Sequence, residues 1–209
     1  MVGAGVGPPL GKRNMAIRKR RVVSALSLLL AGSASAADFE LAQIQTKEMR
    51  LLYQDPQQSY LTPYVARCIL NSLEFQKRIL RWHPQQEVTV VLTDTADWSN
   101  GRAMSSPRNI AVWEVSPSNH VFETLPSNER FHSLADHEQV HVATMDAAND
   151  TDLKWRRFFG GKPREIDEHP ETILYNYLAT PRNSSPRWFN EGSAVFFETW
   201  LAGGVGRAQ

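Results

Sequence analysis

Cysteine is nearly absent from this chain: of its 209 residues only Cys68 is one. No internal disulfide can form, which excludes the disulfide-rich secreted scaffolds and leaves stability to a packed core or a metal. Cys68 itself reads as a small buried hydrophobe. Long apolar runs are missing too. The stretch Val22 to Ala31 is ten residues, short of the roughly 20 that cross a bilayer as a helix, and no later segment is apolar enough. The sequence also has no internal repeat and no low-complexity tract. Basic side chains are scarce beyond the start. Residues 1–36 hold six of the 23 Lys and Arg and none of the 22 Asp and Glu, so the remainder sets 17 basic against 22 acidic residues, near −5 where the whole chain is +1. With no basic block left, nucleic acid is excluded as a partner.

The first 36 residues have the order of a secretory signal. Basic residues from Lys12 to Arg21 lead into the apolar run, and Gly32, Ser33, Ala34, Ser35, Ala36 and Ala37 supply the small side chains of a cleavage site. Met15 is an alternative start. Cleavage after Ala36 is expected to release a single domain, 37–209, large enough for a real core. The expected location is the periplasm or the extracellular space, with a bacterial source favoured. Asn149-Asp-Thr151 and Asn183-Ser-Ser185 would be glycosylation acceptors in a eukaryotic secretory pathway.

Periodicity and punctuation predict the elements. Residues 48–54 read as a short strand. Thr62 before Pro63 reads as an N-cap with proline opening a helix, and Val65, Ile69, Leu73 and Leu80 continue it over 62–81. Val88 to Thr93 is a β-branched run expected to be an interior strand. Asn100-Gly101 marks a turn, and 109–115 gives a second clear strand. From Ser127, read as an N-cap with Glu129 in the first turn, no glycine or proline interrupts the chain up to Met145, which predicts a central helix. Residues 146–187 read as a long polar connection holding one short helix near 173–178, and 190–201 as a final helix. Strands first and helices later predict an α+β fold, a small mixed sheet backed by the first helix and covered by the later ones.

The central helix contains His137-Glu138-Gln139-Val140-His141, the H-E-x-x-H pattern. Histidines four apart stand one above the other on a helix, so both imidazoles can address one metal ion. Glu138 is offset by about 100° from that line, out of the ligand row and beside a coordinated water, where it is the candidate general base. Two surface histidines on an ordinary amphipathic helix would show the same five letters, so the metal reading requires a third ligand. Residues 142–149 offer neither the glycine nor the histidine of the metzincin pattern. The remaining candidates are carboxylates.

One of them has a distinctive setting, Trp188-Phe189-Asn190-Glu191-Gly192-Ser193-Ala194. This segment resembles the W-x-N-E-G-x-A stretch of gluzincin metallopeptidases, the branch of the zincins that includes the aminopeptidases of the M1 type. The resemblance implies a zincin-like fold with one Zn²⁺ per chain held by His137, His141 and Glu191, and Glu138 as the base. It also implies that Glu198, two turns after Glu191 on the same face, supports a zinc-binding histidine from outside the ligand set; an ordinary solvated glutamate is the other reading. Asn190 is read either as orienting the helix end or the site, or as a plain N-cap. In gluzincins the strand placed like 109–115 forms the lip of the cleft and pairs with substrate, which would put Trp113 or Glu114 at a pocket. Core and solvent-face positions of an alternating strand are the preferred reading of those two.

Departures from the family pattern narrow what it implies. The G-A-M-E-N segment that grips a free amine is missing, His141 and Glu191 have 49 residues between them, and Val195 stands where thermolysin-like enzymes have an aspartate. The oxyanion-stabilising Tyr or His of the family comes from a C-terminal subdomain, and the sequence reads as lacking it; Tyr175 and Tyr177 are the nearby tyrosines. The leading expectation is therefore an exported zinc metallopeptidase acting on a peptide or protein substrate, with no membrane span after signal cleavage. Two other classes stand beside it: a zinc-stabilised, noncatalytic domain that binds peptides or a partner protein, and hydrolysis of a nonpeptide amide at the same site.

Overall fold

The computed structural model describes residues 20–21, 40–97, 100–116 and 130–201, and shows a mixed α+β fold. Its strands are β1 (Arg20–Arg21), β2 (Glu40–Gln45), β3 (Met49–Asp55), β4 (Val88–Thr93), β5 (Gly101–Met104) and β6 (Ile110–Glu114). They form one sheet in the order β1-β2-β3-β4-β6-β5, in which β3, β4 and β6 run parallel and the other pairings are antiparallel. Arg20 and Arg21, inside the expected leader, add only a two-residue pairing at the β2 edge. The apolar run, the cleavage site and the expected cap at 127–129 lie outside the described residues.

Strands β3 and β4 follow the rule that successive side chains face opposite ways. Met49, Leu51 and Tyr53 on β3, and Val88, Val90 and Leu92 on β4, are buried, while their neighbours are half-buried. That inner face is covered by α1 (Thr62–Leu80) and α2 (Arg130–Asp146). Helix α1 contributes Val65, Ile69 and Leu73 at a four-residue spacing, and α2 contributes Phe131, Ala135, Val142 and Ala143, all to the same core. Each large aliphatic side chain so buried stabilises the fold by about 1.5–3 kcal/mol relative to exposure. Ser72 in α1 donates to the Ala135 carbonyl at 3.0 Å, pinning one helix to the other. Thr62 does not cap α1 as expected. The boundary residue is Leu61, and the Thr62 hydroxyl turns back to the Ser59 carbonyl at 2.9 Å, which leaves Pro63 to open the helix.

Three sequence expectations are corrected. Asn100-Gly101 is no simple turn, because Gly101 begins β5, a four-residue strand without a β-branched side chain to announce it. As a result 110–114 is interior, flanked by β4 and β5, and the outermost strand on that side is β5. Residues 146–187 are also more ordered than a polar connection. They hold α3 (Asp150–Phe158), α4 (Glu171–Ala179) and a short 3₁₀ turn, Pro181–Ser184, before α5 (Arg187–Phe196) and a π-type turn, Phe197–Leu201. Helix α3 starts at a reciprocal cap in which Asn149 Oδ1 accepts from Thr151 and Asp152 N–H, while Asp152 accepts from Asn149 N–H.

Asp146, the last residue of α2, anchors this second half. Its buried carboxylate accepts from Trp82 Nε1 (3.0 Å), Asn109 Nδ2 (3.1 Å), Arg156 (3.0 Å) and Lys162 Nζ (2.9 Å), tying the ends of α1 and α2 to the start of β6 and to α3. Burial outweighs the attraction of Asp146 and lowers the Lys162 ammonium to about 8. A base depressed from 10.5 to about 8 in the folded state costs stability below pH 8, and that cost fades as pH rises toward 10.5, where the unfolded chain also loses the proton. Replacing Lys162 by Met removes this dependence. The stability of the unmodified protein relative to Lys162→Met is expected to rise between pH 8 and 10.5, as measured by urea unfolding across that range; a flat difference would refute the assignment.

Candidate metal site

Residues 135–143 of α2 are buried throughout, walled by α1, β5 and α5. A helix buried on every side normally carries apolar residues all round. Here Asp136, His137, Glu138, Gln139 and His141 occupy five of the seven positions from 135 to 141. Burying so many polar groups is costly unless they are partnered or used. Asp136 is partnered, with His132 Nδ1 at 3.0 Å. The two histidines of the motif turn toward α5.

Helix α5 opens directly after Pro186, whose extended backbone (φ −58°, ψ 143°) ends the preceding turn, and it delivers Glu191 one turn in. The Nε2 atoms of His137 and His141 are 3.2 Å apart, and Glu191 Oε2 lies 3.4 Å from the first and 3.6 Å from the second. Four ligands placed tetrahedrally at about 2.0–2.1 Å from one ion are separated by about 3.3 Å from each other. The three atoms thus form the triangle that one face of such a site requires, and the group could hold a metal ion. One protein ligand short of four, it would keep a position open.

The histidines are prepared for that role. Glu198 Oε2 sits 3.0 Å from His137 Nδ1. A carboxylate only accepts at neutral pH, so Nδ1 donates to it, and in the neutral ring this would leave the Nε2 lone pair for a metal ion. Glu198 reaches back because the chain continues past α5 into the π-type turn, and its side chain is 11 % exposed, not solvated. Burial, and then the neighbouring His137, hold His141 below the ordinary imidazole value, partly offset by Glu191. The neutral, ligating form therefore persists to lower pH than in free imidazole. Glu191 is half-exposed, with its second oxygen 3.8 Å from Arg187 Nε.

Glu138 is 4 % exposed and stands beside the ligand row on the side of β5. The other expected residues fall elsewhere. Asn190 is not the N-cap of α5. It lies inside the first turn and donates to the Ser185 carbonyl at 3.3 Å, which steadies the start of the helix. Trp113 is fully buried in the core. Glu114 is buried as well and accepts from Thr95 N–H (2.9 Å) and Oγ1 (2.8 Å); burial raises its carboxyl, but these hydrogen bonds prevail and hold it below its ordinary value. Neither faces a pocket at the ligand cluster. Tyr175 packs on Phe159 at 5.1 Å, and α4, which carries both Tyr175 and Tyr177, rests on α3 and the 3₁₀ turn. Asn149 and Asn183, read as glycosylation acceptors, are tied into the fold, the latter through Ser105 (2.7 Å) and Thr180 (3.3 Å).

Sequence reasoning passed over one residue at the site, Gly101, whose Cα backs Glu138. The signal was present, since an isolated glycine in a strand often marks a close backbone approach. Compared with protein-family models, curated proteins and solved structures, the chain finds no match.

Proposed function

We propose that this chain is an exported, zinc-dependent peptidase of the gluzincin type. The observation that carries the reading is a buried carboxylate, Glu138, next in the helix to His137, whose ring converges with His141 and Glu191 on a group one protein ligand short of four. A site serving only the fold is usually closed by four protein ligands and has no use for an acid there. Zinc bound by His137, His141 and Glu191 would supply Lewis acidity and bring the pKa of a coordinated water to about 7.

The chain's own residues do the rest. Glu138 accepts the proton of the attacking water and hands it to the amine nitrogen that leaves, so the carboxylate ends the cycle as it began. Glu198 holds His137 in one tautomer and one orientation throughout. The outermost strand, β5, runs past the site and pairs on one side only among the described residues. An extended peptide can add to such an edge through main-chain hydrogen bonds, which replaces 109–115 as the seat of the substrate.

The test is cleavage of a mixed peptide library by the zinc-loaded chain, followed by mass spectrometry. Cleavage is expected, to be abolished by a chelator and restored by one equivalent of zinc. A chain that holds one zinc and cuts nothing would sink the proposal.

A further inference from the structure

Gly101 opens the edge strand β5, a place where glycine weakens the ladder and offers no side chain to pack. Its backbone does not need glycine, since the positive-φ glycines among the described residues are Gly160 and Gly161. Space is the reason. A Cβ built on Gly101 would lie 2.4 Å from Glu138 Oε1, 2.8 Å from Cδ and 2.9 Å from Cγ, closer than real Cβ atoms come to anything. The end of the Glu138 side chain packs against the bare Cα of the strand.

Both sides of this contact are held. Gly101 N–H donates to Asn100 Oδ1 at 2.9 Å, and the Asn100 carbonyl accepts from Glu114 N–H of the neighbouring strand at 2.9 Å. On the other side, α2 is buried around Glu138 from Ala135 to Ala143. Neither the strand nor the helix can retreat cheaply, so the yielding part is the end of the Glu138 side chain.

We infer that Gly101 is a positioning residue for Glu138: the missing side chain sets how far the carboxylate stands from the strand, and hence where it meets the reacting water. This rests on the reading of Glu138 as the base. A methyl group at 101 pushes the carboxylate aside while leaving His137, His141 and Glu191 on their own helices. Displacing a catalytic group by about 1 Å can cost about 100-fold in rate. A glycine kept only for packing would behave in the opposite way, with Gly101→Ala losing stability while each folded, metal-loaded molecule worked normally.

The experiment compares unmodified protein, Gly101→Ala, Glu138→Gln and the double variant, each assayed for zinc content, melting temperature and peptide cleavage, with a crystal structure of zinc-loaded Gly101→Ala. Expected are one zinc per chain in all four, a loss of about 10–100-fold in kcat for Gly101→Ala, and no further loss when it is added to Glu138→Gln, because the two changes act through one group. The crystal structure is expected to show the Glu138 carboxylate moved from the strand. Full activity at full zinc content, losses that multiply, or an unmoved carboxylate would each overturn the inference. Where Gly101→Ala folds poorly, the Glu138→Ala background removes the obstructing atoms, and the melting temperature is expected to recover there; failure to recover also overturns it. If the unmodified protein binds zinc and cuts nothing, the peptidase reading fails, and the crystal structure still decides whether Gly101 sets the carboxylate.

Discussion

Glu138→Gln is expected to lower peptide cleavage by about 10²–10⁴-fold, the range that a positioned general base contributes, with one zinc per chain retained. The amide has the shape of the acid and the same packing against Gly101, so neither the strand contact nor the helix is disturbed. What it lacks is the ability to take a proton near neutral pH. Metal content should be indifferent, because the three ligand atoms belong to His137, His141 and Glu191. The measurement is steady-state cleavage beside elemental analysis of the same samples. Retained activity would remove Glu138 from the chemistry, and lost zinc would show that it belongs to the ligand set.

The second large effect concerns the metal itself. His141→Ala and Glu191→Ala each delete one corner of a triangle whose sides are 3.2, 3.4 and 3.6 Å. Both are expected to lose zinc from a purified sample, whereas Glu198→Gln is expected to keep it with affinity reduced by about 10–100-fold, the usual cost of losing an outer hydrogen-bond partner. Zinc competition with a chromogenic chelator ranks the variants. Because the ligating imidazole must be neutral, binding should also weaken as pH falls through the histidine range, and burial of His141 moves that loss to lower pH. Equal affinity in Glu191→Ala and the unmodified chain would show that the acid on α5 is no ligand.

The parts legible in the sequence were those with strong local signals. Helix α2 was announced by a stretch free of glycine and proline, and β4 by its β-branched run, which the structure places at Val88–Thr93. The contact between Glu198 and His137 was implied by the resemblance to gluzincins, with an ordinary solvated glutamate as the other reading. Other features depend on groups that meet only after folding. Helix α3 is short, and its cap uses Asn149 with Asp152 in place of the more familiar Ser or Thr with Glu. Strand β5 is four residues long, and its identity as the edge comes from pairing with β6 across a connection that local propensity does not reveal. Likewise Gly101 read as a turn because its partner, Glu138, lies on another element. Asp146 fell at the start of the expected polar connection, and its role comes from four donors on distant segments that converge on it.

The convergence at Asp146 also changes the thermodynamics of presenting Glu191. A free chain of 49 residues between His141 and Glu191 would have to be closed afresh each time the Glu191 carboxylate met the histidine pair. The structure closes it in stages: Arg156 and Lys162 fasten the early part to Asp146, and Arg182 then fastens the late part through the Ala147 carbonyl (2.6 Å) and Asp152 (2.9 Å). The last fastening leaves nine steps to Glu191. Shortening an open loop from 50 steps to nine reduces its closure entropy by about 1.5 kcal/mol, roughly a tenfold gain in the effective concentration of the carboxylate at the histidine pair. Insertions among residues 163–170 should therefore leave the approach of Glu191 to the histidine pair untouched, while a change at Arg182 would loosen it.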